Sequence, residues 1–157
     1  LLFLPYLEGE RSPIFDSNAR GVYFRIGAEH ESAHFLRSTL EGVTFALRSI
    51  LDVYRETTTV SDVRIIGGGG NSGLWRQMMA DIWGVRTWSV TAKASSVGSI
   101  GVAMAAAVGA GVYRNLAEAG SAVKLGAKSE PNAAVEPAYA SQYHTFTELY
   151  RSVKALY

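Results

Sequence analysis

Asp62-Val63-Arg64-Ile65-Ile66-Gly67-Gly68-Gly69-Gly70-Asn71-Ser72-Gly73-Leu74-Trp75-Arg76-Gln77-Met78-Met79-Ala80-Asp81-Ile82-Trp83-Gly84 reads as strand, loop and helix. Residues 62–66 are β-branched and apolar enough for a strand of a buried sheet. Four successive glycines continue neither strand nor helix without a large entropic cost. The chain therefore turns at Gly67–Gly70. Asn71 or Ser72 caps the helix that follows, whose apolar residues Leu74, Trp75, Met78, Met79 and Ile82 recur at three- and four-residue steps, with Gly84 as its stop. A glycine loop feeding a helix N-terminus offers free backbone N–H groups and lets a ligand approach the main chain, which suits phosphate or ribose.

Gly68, Gly70 and Gly73 spell GxGxxG. The dinucleotide fold that uses this pattern also needs an acidic residue about 20 positions on, at the end of the next strand. The next strand candidate, Val85 to Val90, is followed by Thr91, Ala92 and Lys93 and brings no carboxylate. A P-loop is excluded, because no Gly-Lys-Ser/Thr follows the glycines. On spacing alone, a nucleotide site and a plain tight strand-to-helix turn both stay open.

Upstream of this unit, residues 8–13 and 16–21 are turn-rich and read as loops, and Val22 to Ile26 reads as a short strand. A long helix is expected from Ser32 to about Tyr54, with Phe35, Leu36, Leu40, Val43, Leu47, Ile50, Leu51 and Tyr54 on its apolar stripe and Thr57-Thr58-Thr59 ending it. Downstream, a Gly- and Ala-rich helix is expected from about Ser96 to Val108, its small side chains suited to close packing or to a nucleotide lying against them. Leu116 to Ala119 suggests a helical turn, Ala122 to Glu136 an irregular connection, and Ser141 to Leu156 a closing amphipathic helix with Tyr143, Phe146, Leu149, Tyr150 and Val153 inward. Strands alternating with helices give an α/β fold.

The 157 residues, 48% hydrophobic and 18% charged, fit one domain able to bury a real core. A net charge of +1 with mixed signs throughout leaves no basic stripe, so no nucleic-acid partner is expected. The absence of cysteine removes disulfides, thiolate metal sites and a cysteine nucleophile, and suits a cytoplasmic setting. The longest weakly polar run, Ser95 to Tyr113, is too rich in Ala, Gly and Ser for a membrane span, so a soluble protein is expected. The start, Leu1 to Leu7, has no initiator methionine and no basic region before its short apolar run, and reads as the middle of a longer chain.

His30-Glu31-Ser32-Ala33-His34 is a literal HExxH, the pattern of a zinc-bound water activated by glutamate. Its extended form fails at Arg37 and Leu40, and Glu41 lies too near to serve as the third ligand, so two histidines at a helix start are the simpler reading and no metal ligand is assigned. No Gly-x-Ser-x-Gly supports a serine nucleophile. His144 reads as a surface or packing residue. Glu8, Glu10 and Arg11 form either a cleft-facing set or a solvated loop with local ion pairs. No catalytic residue is assigned.

Taken in order, Pro5 to Pro13 (PYLEGERSP), Asn18-Ala19-Arg20-Gly21, His34 to Gly42 (HFLRSTLEG), Ile66 to Asp81 and Ser96 to Gly111 resemble the C-terminal domain of the FGGY family of carbohydrate kinases, of the xylulokinase type. The resemblance implies a partial C-terminal domain, rich in helix, of the actin-like ATPase (ribonuclease H-like) fold, over residues 1–157. In such kinases two domains close over a cleft and this domain holds ATP or ADP. Carried over, the backbone of Gly67, Gly68 and Gly69 approaches the nucleotide. Ser72 stands where an adenine-contacting asparagine is often found, with Asn71 beside it as a substitute. Arg25 stands where the family's second signature expects glycine, and Ser96 replaces an acidic residue of the glycerol-kinase-like branch.

The phosphate hairpin and the catalytic aspartate belong to the family's N-terminal domain, which no part of this chain resembles. The implied function is ATP-dependent phosphorylation of a sugar or polyol by the full-length protein, with Mg2+ held mainly through the nucleotide and the missing domain. A homodimer is compatible with that architecture. The alternative is a non-catalytic nucleotide-binding or assembly module of the actin-like superfamily.

Overall fold

The computed structural model describes residues 1–91 and 97–157. Its centre is the predicted unit. Strand β3 (Asp62–Ile65) leads through a short helical turn, α2 (Gly68–Asn71), into helix α3 (Gly73–Trp83), and strand β4 (Arg86–Val90) returns parallel to β3. Asp62 pairs with Arg86 and Ile65 with Ser89. The only parallel connection available to two such strands is a crossover, which α3 supplies. Gly84 ends α3 in the left-handed conformation that favours glycine (φ 64°), as the sequence indicates.

Further strands and helices complete the architecture around this unit. An antiparallel pair, β1 (Leu2–Leu4) and β2 (Val22–Phe24), precedes the long helix α1 (Ser32–Arg55). After β4 come α4 (Val97–Gly109), α5 (Leu116–Ser121) and strand β5 (Leu125–Ser129), which lies antiparallel on β4. Helix α6 (Glu136–Val153) and a 3-10 turn (Lys154–Leu156) end the chain. The larger sheet has the order β3-β4-β5.

The core joins β1, α1, α3 and α6 through Leu4, Phe45, Met78, Ile82, Trp83, Phe146 and Leu149. Two indoles bind α1 to α3. Trp75 Nε1 donates to Thr44 Oγ1 at 3.0 Å, and Trp83 Nε1 donates to the Thr44 carbonyl at 3.0 Å. Arg48, lying over the Tyr143 ring at 4.2 Å, donates to the Ile82 carbonyl and ties the same two helices.

The bounds of α1 match expectation within a residue, but its buried face does not. Leu36, Leu47 and Tyr54 are exposed, whereas Ser38, Gly42, Thr44 and Phe45 are buried. The reason is distance. Strand β1 crosses so near that a Cβ at Gly42 would collide with the Phe3 carbonyl, so small residues take the inner positions. The hydroxyls of Ser38 and Thr44 bond to the carbonyls of Phe35 and Leu40 and bury without an unmet donor.

Three further expectations need correction. Residues 122–136 are not wholly irregular, since they contain β5, whose Leu-Gly-Ala-Lys-Ser sequence has little strand character. The closing helix begins at Glu136 rather than Ser141, with a proline in its first turn where the lost N–H does no harm. Leu2–Leu4, read only as an apolar run, is strand β1. The Gly- and Ala-rich helix runs Val97–Gly109, and Ser96 lies outside the described residues.

Candidate functional site

The four glycines do not act alike. Gly67 alone leaves ordinary backbone space, at φ 82° and ψ −159°, a region essentially restricted to glycine. Gly68 to Asn71 then close one helical turn, with the Asn71 N–H bonding to the Gly67 carbonyl at 3.3 Å and the Ser72 N–H to the Gly68 carbonyl at 3.1 Å. The expected open loop is thus a kink followed by a turn of helix. What holds the glycines helical despite their entropy is packing, because Gly70 sits on the end of β3, where a Cβ would lie 2.5 Å from the Ile65 carbonyl oxygen.

Ser72 leaves helical space (ψ 112°) and separates α2 from α3. Its Oγ accepts the Trp75 N–H at 3.3 Å, so Ser72, not Asn71, is the cap. Asn71 is exposed. Gly68 and Gly69 open α2, and the first N–H groups of a helix have no acceptor within it. A Cβ on Gly68 would meet nothing within 4 Å, whereas one on Gly69 would touch Met79 and Trp75. The outer side of the turn is therefore open and its inner side is packed. Ile66 and Leu74, both exposed, flank it.

Arg76, absent from the residues singled out by sequence, anchors the turn. Its Nη1 donates to the Gly70 carbonyl at 2.7 Å and its Nε to Ser129 Oγ on β5 at 3.3 Å. The Arg76 carbonyl accepts from Thr87 Oγ1 on β4. The next residue, Gln77, bridges Asp81 and the Glu130 carbonyl, and Asp81 also accepts the Asn132 N–H. No spacing rule marks these residues, since Ser129, Glu130 and Asn132 lie on or just after β5, a strand the sequence does not announce.

The other candidates fall elsewhere. His30 and His34 stand edge to face at 5.4 Å. The Nδ1 of His30 accepts the Gly27 N–H at 2.8 Å, and that of His34 accepts the Glu31 N–H at 3.0 Å as half of a capping box. Both rings thus serve the entry to α1. They border a cavity of about 310 Å³ with Arg37, Glu41 and Tyr139. Within it, Arg37 donates to Glu41 at 2.9 Å and to the Tyr139 hydroxyl at 3.0 Å. The Glu41 hydrogen bond, foremost, holds the Arg37 guanidinium above its usual pKa. Glu8, Glu10 and Arg11 border an open depression with Phe15 and Ser17, and His144 is exposed on α6. Among the described residues no group of three His, Cys, Asp or Glu side chains is arranged to hold a metal ion, and no helix is long and apolar enough to cross a membrane.

Comparison with known proteins gives a consistent result. The profile described as "FGGY family of carbohydrate kinases, C-terminal domain" matches residues 1–110. The xylulose kinase of Bacillus subtilis is 35% identical over 158 residues, covering 99% of this chain and 31% of that protein. The ligand-bound xylulose kinase of Lactobacillus acidophilus superposes with a TM-score of 0.88 at 28% identity, over 99% of this chain and 31% of that one. Plasmodium falciparum glycerol kinase, at 22% identity and a TM-score of 0.73 over 94% of this chain and 30% of that one, shares the fold. The chain thus spans about a third of the length of the relatives it matches.

Proposed function

This chain belongs to the FGGY family of carbohydrate kinases, of the actin-like ATPase fold, and from that premise we propose that it supplies the nucleotide side of an ATP-dependent sugar kinase. The observation that carries the reading is the one-sided glycine turn. Its outer face at Gly68 is bare, while its inner face is locked on β3. N–H groups held in place at an open surface cost little to organise when an anionic or ribosyl group arrives.

Gly67 and Gly68 approach the nucleotide through the backbone, and Gly69 contributes its N–H while its α-carbon faces the packed side. Asn71, exposed, is better placed than Ser72 to bond a purine, because the Ser72 oxygen already accepts the Trp75 N–H. Ile66 and Leu74 give the ring apolar edges to lie on. Mg2+ arrives with the phosphates. The proton acceptor for the sugar hydroxyl and most sugar contacts come from the family's N-terminal domain. The substrate class is a xylulose-like sugar or polyol, after the relatives' names. The setting is cytoplasmic, with no nucleic-acid or membrane partner and with homodimer formation left to the whole enzyme.

Calorimetry with ADP tests this directly. The chain binds ADP, and Gly68→Ala weakens binding at least tenfold without lowering Tm, because the added methyl meets only the ligand. Equal affinity in the variant, or no binding by the parent chain, contradicts the proposal.

A further inference from the structure

Arg76 stands in the first turn of α3, where a cation opposes the helix dipole and a carboxylate would be favoured. Its position is explained by what it reaches. The last carbonyls of α2 point out of a helix that stops at Asn71, and that of Gly70, in a buried residue, has no successor turn to satisfy it. The guanidinium supplies that donor at 2.7 Å and reaches Ser129 Oγ at 3.3 Å with its Nε, spanning from the glycine turn to β5. A Cβ at Gly73 would make only ordinary contact with Nη2, at 3.9 Å, so the guanidinium's path does not depend on glycine there. Thr87 fixes the Arg76 main chain from β4.

We infer that Arg76 is a positioning residue for the nucleotide site: it holds the glycine turn in the geometry that aims the Gly68 and Gly69 N–H groups outward, and touches no nucleotide itself. The inference rests on the nucleotide reading of the turn, but its mechanical part does not. The turn's helical bonds are only two, at 3.3 and 3.1 Å, and four glycines bring maximal backbone freedom, so a tie from outside adds to the packing of Gly70 on β3 in keeping them formed. A planar fork that serves two acceptors on different elements does this better than a single ammonium.

The test uses the whole chain in four forms: parent, Arg76→Met, Arg76→Lys and Ser129→Ala. Hydrogen exchange of the Asn71 and Ser72 amides is read without nucleotide, and ADP affinity is read by titration. Arg76→Met speeds exchange of both amides about tenfold or more and weakens ADP about tenfold. Lysine, able to donate to the Gly70 carbonyl but not to Ser129 as well, recovers affinity to within about threefold of the parent. Ser129→Ala, which removes only the strand anchor, weakens ADP by about the same threefold and serves as the folded check should Arg76→Met not fold. Unchanged exchange in the Arg76 variants overturns the inference whatever ADP does. Unchanged ADP affinity in Arg76→Met and Ser129→Ala, with a parent that binds, overturns it too. A parent that binds no ADP while exchange responds as stated overturns the nucleotide reading and with it the functional half of the inference.

Discussion

At the scale of single residues, two backbone positions have geometry that favours glycine, with effects of opposite sign that can be measured. Arg25, a non-glycine residue, adopts φ 60°. Its guanidinium over the Phe24 ring at 5.5 Å returns little at so exposed a site. Relief of the left-handed penalty outweighs the entropy glycine adds to the unfolded chain, so Arg25→Gly should stabilise the fold by about 0.5–1 kcal/mol, read by denaturant titration. Gly67 has the opposite sign. Alanine there meets a glycine-only conformation and should cost about 1–3 kcal/mol, in contrast to the neutral effect on Tm expected of the same change at Gly68. The sequence marks the glycines as a group but does not rank them. Rank depends on which side β3 lies, and that is a tertiary fact. Arg76 was hidden for a related reason: its partners, Gly70 and Ser129, lie 6 and 53 positions away.

At the scale of elements, what could be read was whatever local periodicity and caps decide. The bounds of α1, the strand-turn-helix unit and the Gly84 stop all follow from neighbours a few positions apart. The buried face of α1 did not follow, because hydropathy ranks leucine above serine whereas a backbone crossing at Gly42 ranks by size. Strand β5 was missed because β4 makes it a strand. Its register, Thr87 opposite Ser129 and Val90 opposite Leu125, is irregular between Trp88 and Val90, and the Ser89 hydroxyl accepts the Ala127 N–H there at 2.9 Å. The junction of α1 with α6 gives a test of this scale. Glu41 is buried, accepts from Arg37 and from the Tyr139 hydroxyl, and its truncation leaves both donors without their acceptor. With Arg37 partly exposed and so partly resolvated, Glu41→Ala should cost about 1–3 kcal/mol in chemical unfolding.

At the scale of the whole molecule, tyrosines link the elements and set the alkaline limit. Burial, and then the Asp16 hydrogen bond, push the Tyr150 hydroxyl up to about 12, and burial raises Tyr6, Tyr139, Tyr143 and Tyr157 as well. A group whose pKa is raised on folding contributes stability that is complete below its unfolded value of 10.0 and is lost as pH climbs through the folded value. Stability should therefore fall steadily above about pH 10, with a weaker slope in Tyr143→Phe and Tyr150→Phe; tyrosinate absorbance and circular dichroism together follow it. The partner of Tyr150 behaves oppositely. Asp16 is held below its usual range, first by the Tyr150 hydrogen bond, so its contribution is present above the ordinary aspartate pKa and fades in acid.

The most direct measurement is the map of backbone amide shifts as ADP is titrated into the isotopically labelled chain. The account predicts that the largest changes fall on residues 67–72, with Leu74 and Ile66 following, and that they vanish in Gly68→Ala. Changes centred instead on the apolar cavity lined by Thr91, Met104 and Tyr113, or no change at all, would contradict it.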